Sequence, residues 1–229
     1  MRVRKTSKWT IRYVTSACRI PVFCGSIALG GSPAVGHPHV FVDGGVDFVF
    51  DDNSLVALHV TWLYDEFETL YILSSHNLSL NAAGGLDEAD RRTLVRLRSD
   101  WPSDFDGSAH MSIEGELVPL QWPENLDAQV VDGRLQMTFT RGLDEPVELA
   151  GLTAEVAFYE TTYFFAFAVT EQPAIVGAAN RCIEEVLKFD PTVEDEGLQA
   201  TLALLNREET PSIANVGALF ADRITLTCA

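Results

Sequence analysis

The stretch His37-Pro38-His39-Val40-Phe41-Val42-Asp43 marks the point where a basic leader gives way to a folded domain. From Val40 to Phe50, apolar residues occupy alternate positions, a pattern that predicts a strand with one buried face. Turn-forming residues follow at 51–54, and a second β-rich run covers 55–64. The two runs predict a β-hairpin at the start of the fold.

Residues 1–36 have the composition of a secretory signal. They contain six basic residues and no acidic one, and 20–29 form a short, mostly apolar run. Ala34-Val35-Gly36 places small side chains at the two positions that signal peptidase reads. The apolar run is too short to span a bilayer. We therefore expect a signal peptide over 1–36, export to the periplasm and a mature chain that begins at His37.

The charge of the expected mature chain excludes two classes of partner. Without the leader, 229 − 36 = 193 residues remain, with 16 − 6 = 10 Lys+Arg against 33 Asp+Glu, a formal net charge of −23. Nucleic acid and anionic lipid are therefore unfavourable partners, because both bind mainly through positive side chains. A chain of this length buries one good core, so we expect a single domain over 37–229.

Two cysteines, Cys182 and Cys228, remain after removal of the leader. An even pair in an oxidising compartment predicts a disulfide. The alternative is a soft metal site, which is disfavoured because the sequence places no His or other Cys near either thiol. The disulfide would tie the last strand to an earlier segment.

A helical hairpin is predicted over about 65–100. Asp65 and Glu66 suit a first helical turn, where acids face the positive end of the helix dipole. Phe67, Leu70 and Tyr71 are expected to form the inner face of that helix. A second helix is predicted over about 87–99.

The connector between the two helices resembles a degraded EF-hand loop. Gly84 and Leu86 fit the frame of such a loop, and Asp87 and Asp90 stand at two ligand positions. Other ligand positions hold Ser79, Asn81 and Ala83, which carry no charge. We therefore expect a connector that binds calcium poorly.

The remainder of the chain is predicted to be mainly β. The Asp132-Gly133 pair indicates a tight turn between strands at 127–131 and 134–140. Strands at 152–159 and 163–170 are expected to pair, and a short helical stretch is expected after Cys182. The predicted fold class is α+β, with an antiparallel sheet or sandwich and the helical hairpin inserted after the first β-hairpin.

His37 and His39 are the first candidate metal ligands. After cleavage, the α-amine of His37 would lie beside both imidazoles, and these nitrogens suit Zn²⁺, Ni²⁺, Co²⁺ or Cu²⁺. Pro38 lacks an amide N–H, which blocks a square-planar wrap through backbone amides. The alternative is that both histidines are ordinary polar residues at a frayed strand start.

A carboxylate is expected to complete the site. If Phe50 faces Leu55, the hairpin ladder puts Asp43 beside Trp62 and His39 beside Glu66, and a one-residue slip would undo both pairs. The further candidate ligands are listed here in order of preference: Glu66, Asp65, Asp43, and then His76 and His110 in predicted loops.

Four stretches carry a resemblance to a known family: His37-Pro38-His39-Val40-Phe41-Val42-Asp43, Trp62-Leu63-Tyr64-Asp65-Glu66-Phe67, Thr162-Tyr163-Phe164 and Phe220-Ala221-Asp222-Arg223. In order and spacing they resemble a bacterial domain-of-unknown-function family described as the periplasmic component of an uncharacterised ABC-type transport system. Members often lie near genes for nickel or cobalt permeases. The resemblance implies a periplasmic metal-handling protein that works beside membrane transport components.

Three functions remain open from the sequence. The first is a metal-binding accessory protein of a membrane transport system, and not an enzyme. The second is a non-metal interaction domain that docks on a membrane partner, with the aromatic residues at 159–165 as its surface. The third is a copper enzyme with an amino-terminal histidine brace, since no Ser-His-Asp or Cys-His pattern offers another catalytic route.

Overall fold

The structure is a computed structural model, which describes residues 36–101, 105, 108–177, 181–206 and 209–229. The expected signal peptide lies outside the described residues except for Gly36. Within the described part, the elements in chain order are β1 (Val40–Asp51), β2 (Ser54–Tyr64), α1 (Glu66–Ser75), α2 (Glu88–Arg98), β3 (Ala109–Ile113), β4 (Glu116–Val118), β5 (Glu124–Val131), β6 (Arg134–Glu148), β7 (Thr153–Phe158), β8 (Phe165–Val169), β9 (Ile175–Val176), β10 (Cys182–Leu187), α3 (Val193–Leu202), a 3-10 helix (Val216–Phe220) and β11 (Asp222–Cys228).

The described strands form two open sheets. One has the order β5-β6-β2-β1-β8, with β9 also paired to β1, and the other has the order β10-β11-β7-β3-β4. Both contribute buried side chains to one core, in which Phe48, Phe139 and Ile224 are fully buried. The mixed α+β class is therefore correct. The purely antiparallel sheet is wrong, because β8 and β9 run parallel to β1.

The predicted β1–β2 hairpin is present, but its register shifts at a bulge. Phe50 pairs with Leu55 as predicted, whereas Val49 already pairs with Ala57. One extra residue in β2 moves every later pair by one position. Asp43 consequently lies opposite Leu63, and its predicted pairing with Trp62 is wrong.

The two predicted helices are present between β2 and β3. However, α1 packs on β6 and α2 packs on β5, so an inserted helical hairpin is not confirmed. The predicted inner face of α1 is wrong: Ile72 and Leu73 are buried, whereas Phe67 is 87% exposed. Among the described residues, no helix has the length and apolar character needed to cross a membrane.

The last third of the chain departs from the predicted pairing. The segment after Cys182 is strand β10 and not a helix, and β7 and β8 lie in different sheets instead of pairing. Both edges of β7 are already paired, with β11 and with β3, and β8 pairs with β1 instead. Between β7 and β8, the Glu160 carboxylate accepts hydrogen bonds from the backbone N–H groups of Thr162 and Phe164. The Cys182–Cys228 disulfide is confirmed and joins β10 to β11.

Asp222 joins the two sheets at the start of β11. Its buried carboxylate accepts hydrogen bonds from the backbone N–H groups of Val169, at the end of β8, and Phe189, both at 2.8 Å. Lys188 donates to the same carboxylate at 3.0 Å and also to the Val169 carbonyl. This junction fixes β8, which supplies Phe165 and Phe167 to the wall of a cavity.

Candidate metal site and aromatic cavity

His37 and His39 lie next to each other immediately before β1. Their ring centroids are 5.3 Å apart and the rings meet edge to face. The Phe164 ring packs against both, with centroids 5.7 Å from His37 and 5.0 Å from His39. His37 is only 3% exposed, so the pair is packed and not frayed.

The hydrogen bond of His37 determines which of its ring nitrogens is free. Nε2 lies 2.9 Å from the carbonyl oxygen of Glu209, an atom that only accepts, so Nε2 carries the hydrogen and donates it. In the neutral ring, Nδ1 then holds a lone pair. Among the described residues no hydrogen-bond donor reaches this buried Nδ1. Histidines that bind a metal usually donate the opposite ring N–H to a carbonyl or a carboxylate, and His37 has this arrangement.

The backbone around the histidine pair is fixed on both sides. The N–H of His39 donates to the Phe164 carbonyl at 2.9 Å, and the N–H of Gly36 donates to the Ala203 carbonyl at 2.9 Å. A Cβ at Gly36 would lie 2.3 Å from the Leu205 carbonyl oxygen, so only glycine fits there. The peptide bond between His37 and Pro38 is cis.

Asp43, predicted as a ligand, is occupied by an ion pair. Arg134 donates to its carboxylate at 2.7 Å, and the same guanidinium donates to the carbonyls of Tyr64 and Leu63 at the end of β2. The carboxylate therefore holds Arg134 in place, and Arg134 holds the end of the hairpin.

The other two predicted carboxylates lie at the start of α1. Asp65 is the N-cap and accepts hydrogen bonds from the N–H groups of Glu68 at 2.8 Å and Phe41 at 2.9 Å. Glu66 is the first helical residue and is exposed. In the described part of the chain, no three His, Cys, Asp or Glu side chains are grouped so as to hold a metal ion. The structure thus brings His37 and His39 together, but not the carboxylates with them.

The remaining histidines have positions of their own. His110, predicted in a loop, lies in β3 and stacks on Tyr159 with ring centroids 3.7 Å apart. His76 is the C-cap of α1, and His59 lies on β2 opposite Asp47. None of the three adjoins the histidine pair in sequence.

The EF-like connector forms its own network of hydrogen bonds. The Asn81 side-chain oxygen accepts from the N–H groups of Ala83 and Gly85, and the Asn81 amide donates to Asp87 at 3.0 Å. The Asp90 carboxylate accepts from the N–H of Ser79 at 3.4 Å. The polar groups that a calcium ion would need are therefore occupied by one another.

A cavity of about 400 Å³ lies beside the end of β2, and no sequence pattern predicts it. Trp62 and Tyr64 form part of its wall, together with Arg98 at the end of α2. Burial raises the pKa of Tyr64 to about 12, and the nearby positive charge of Arg98 opposes part of that rise. The alternation along β2 predicts that Trp62 and Tyr64 share a face, but not that the face borders a cavity.

Comparisons with known proteins place the chain among relatives whose role is not described. A family model described as "Protein of unknown function (DUF1007)" matches residues 22–228. An uncharacterized protein of Haemophilus influenzae is 23% identical over 196 residues, which is 84% of this chain and 91% of that protein. No solved structure matches the chain significantly. The histidine pair and the cavity both lie within the matched range.

Proposed function

The chain belongs to the DUF1007 family, and from that premise we propose that it is an exported accessory protein that binds a divalent transition metal beside a membrane transport system. His37 and His39 hold the metal. The observation that carries the proposal is the buried Nδ1 of His37, which has no hydrogen-bond partner among the described residues while Nε2 is held by the Glu209 carbonyl. That arrangement fixes the tautomer a metal ligand needs.

The spacing of the two rings supports the same function. Two imidazoles that share a tetrahedral metal have ring centres about 5 Å apart, because each ligating nitrogen lies about 2 Å from the ion. The centroids of His37 and His39 are separated by 5.3 Å. Small rotations of the side chains therefore suffice to direct both rings at one ion.

The α-amine of His37 is the third ligand once the leader is removed. The amine and Nδ1 of one histidine close a six-membered chelate ring, and Nδ1 is the nitrogen that the Glu209 hydrogen bond leaves free. Cleavage after Gly36 also removes the hydrogen bond between Gly36 and Ala203. Three nitrogen ligands suit Zn²⁺, Ni²⁺, Co²⁺ or Cu²⁺ and leave a position for water or for a ligand from the transport partner.

The test of metal binding uses the chain purified from the periplasm with its natural start. We expect amino-terminal sequencing to begin at His37, and calorimetry with Zn²⁺, Ni²⁺ and Cu²⁺ to give one site per chain for at least one ion. His37→Ala with His39→Ala should weaken binding by about 100-fold or more. His59→Ala with His76→Ala is the matched control and should change affinity less than two-fold, within the ~0.5 kcal/mol expected of uninvolved sites.

A second preparation isolates the α-amine. If a protease leaves Gly36 in place, the nitrogen of His37 is an amide, and affinity should fall by about ten-fold or more because one ligand is lost. Equal affinity of the two preparations, or a mature chain that begins elsewhere, contradicts the role of the amine. Unchanged binding in the double histidine variant contradicts the proposal as a whole.

We assign the docking of the transport partner to the exposed face of α1. Phe67, Leu70 and Tyr71 are 87%, 64% and 59% exposed, and their spacing puts them on one side of the helix. Glu66 lies beside them, and the mature chain carries a net charge of −23. An apolar face with an acidic border fits a partner segment that is apolar and basic.

A designed amphipathic helix of Leu and Lys is the probe for this face. Phe67→Ser with Leu70→Ser should weaken its binding by about ten-fold, as expected for two anchor residues. Leu117→Ser, at an exposed leucine on β4, is the control and should have little effect. If the α1 variant and Leu117→Ser lost affinity for the probe equally, the probe would be binding by general charge attraction and not at this face. A dimer abolished by Phe67→Ser would instead identify a second copy as the occupant and refute this assignment.

A further inference from the structure

The cavity beside β2 has the walls of a binding site for a flat molecule. Trp101 and Phe105 stack at 4.2 Å and 20°, and Trp62 meets their edges at 6.2 and 6.0 Å. Phe165 and Phe167 of β8 add a further stacked pair with centroids 6.1 Å apart. A cavity of about 400 Å³ with aromatic walls has the size and composition of a small-molecule site.

Two residues that line the cavity each carry a buried hydrogen-bond donor with no acceptor in the described part of the chain. Trp62 Nε1 and Arg98 Nε are both shielded from solvent, and neither has a hydrogen-bond partner among the described residues. An indole N–H donates only, and a guanidinium also donates only. Leaving such groups unpaired in a buried site is unfavourable, so a ligand that brings an acceptor oxygen recovers that loss.

The charges of the lining decide what kind of acceptor fits. Arg98 is positive, whereas Asp100 and Glu160 are both negative, so the lining is net negative. Glu160 accepts hydrogen bonds from the N–H groups of Thr162 and Phe164 and is therefore held in place. An anion would meet this excess of negative charge, and a cation would leave both donors unpaired.

We propose that this cavity binds an uncharged aromatic or similarly flat apolar molecule that carries a carbonyl-type oxygen. Its ring lies between the aromatic walls, and its oxygen accepts hydrogen bonds from Trp62 Nε1–H and the Arg98 guanidinium. The cavity contains none of the residues proposed to hold the metal, so binding in it can be tested independently of metal binding.

The experiment compares four one-ring probes on the mature chain. They are acetophenone, with a neutral acceptor; ethylbenzene, with none; benzoate, an anion; and phenyltrimethylammonium, a cation. The mature chain contains three tryptophans, so its indole N–H signals in ¹H–¹⁵N spectra are few, and Trp62→Phe assigns one of them. We expect acetophenone to bind about five-fold or more tightly than ethylbenzene and to move the Trp62 signal downfield.

Variants test whether the oxygen of the probe binds at Trp62 and Arg98, as proposed. Arg98→Met should remove most of the preference for acetophenone over ethylbenzene, and Trp122→Phe, at an exposed tryptophan, should leave it unchanged. If Trp62→Phe does not fold, Trp101→Phe and Trp122→Phe assign the Trp62 signal by elimination. That signal in the wild-type chain and the Arg98→Met variant then decide. Tighter binding of benzoate or phenyltrimethylammonium, or a Trp62 signal that no probe moves, overturns the proposal.

Discussion

The histidine pair and the aromatic cavity differ in what their buried nitrogens need. His37 Nδ1 and Trp62 Nε1 are both buried and lack hydrogen-bond partners among the described residues. The first carries a lone pair, because Nε2 of the same ring donates to the Glu209 carbonyl. The second carries a hydrogen and donates only. One region therefore suits a cation, and the other suits a neutral oxygen.

The two regions also differ in how they are built. His37 and His39 are two residues apart in the sequence and meet immediately before β1. The cavity takes its walls from β2, from the end of α2, and from β8 across β1. A local site should tolerate damage to the fold better than a site assembled from distant elements.

Loss of the disulfide should have the largest effect on the free energy of unfolding. Cys182→Ser with Cys228→Ser removes a link across 46 residues, which lowers the free energy of unfolding by about 4 kcal/mol in urea titrations. Acetophenone binding should disappear at the urea concentrations that unfold the variant, whereas a peptide of residues 37–43 should still bind Cu²⁺ weakly. If the unfolded chain still bound acetophenone, the cavity would not depend on the fold more than the histidine pair does.

Asp222→Ala should have the second-largest effect on the free energy of unfolding. Two backbone N–H groups and Lys188 lose their acceptor at the junction of β8 and β11, at a cost of about 3 kcal/mol. Because β8 supplies Phe165 and Phe167 to the cavity, acetophenone binding should fall more than Zn²⁺ binding. Glu155→Ala, which breaks the more exposed pair with Arg223, is the control and should cost under about 1 kcal/mol.

Tyr64 should make stability fall at alkaline pH. Its pKa is about 10 in the unfolded chain and about 12 in the folded one, so the folded state holds the proton more strongly between these values. The contribution is fully present below pH 10 and is lost as pH rises to about 12, a change on the order of 3 kcal/mol. Tyr64→Phe should remove this slope, as measured by urea unfolding at several pH values. An unchanged slope would show that the ring is not buried beside the cavity.

Asp43→Asn should have the smallest effect. Its pair with Arg134 is partly exposed, so stability should fall by less than about 1 kcal/mol. Zn²⁺ affinity should stay within two-fold, a change under ~0.5 kcal/mol, because the carboxylate holds Arg134 and not the metal. A large loss of affinity would restore Asp43 as a ligand and extend the metal site beyond the histidine pair.

Local signals predicted much of the secondary structure. The alternation along 40–50 and 55–64 appears as β1 and β2, and the Asp132-Gly133 turn joins β5 to β6 with positive φ at both residues. Cys182 and Cys228 form the predicted disulfide. Each of these features depends on neighbouring residues or on a count, which a sequence records directly.

Features that depend on contacts between distant residues could not be predicted from the sequence in the same way. Helix α1 carries Phe67, Leu70 and Tyr71 on one side and Ile72 with Leu73 on another, so its periodicity does not say which side is buried. The bulge at Val49 and Phe50 adds one residue to β2 and moves Asp43 by one position, although the turn itself was correctly placed.

By itself, the sequence determined the strand pattern, the disulfide and the proximity of His37 to His39, because each is set by bonds or by periodicity within a short stretch. Only the tertiary structure decided the tautomer of His37, the engagement of Asp43 and Asp65 elsewhere, and the existence of the aromatic cavity. Those depend on which distant carbonyls and rings come within a few ångströms once β1, β2 and β8 lie side by side, and no local pattern encodes that choice.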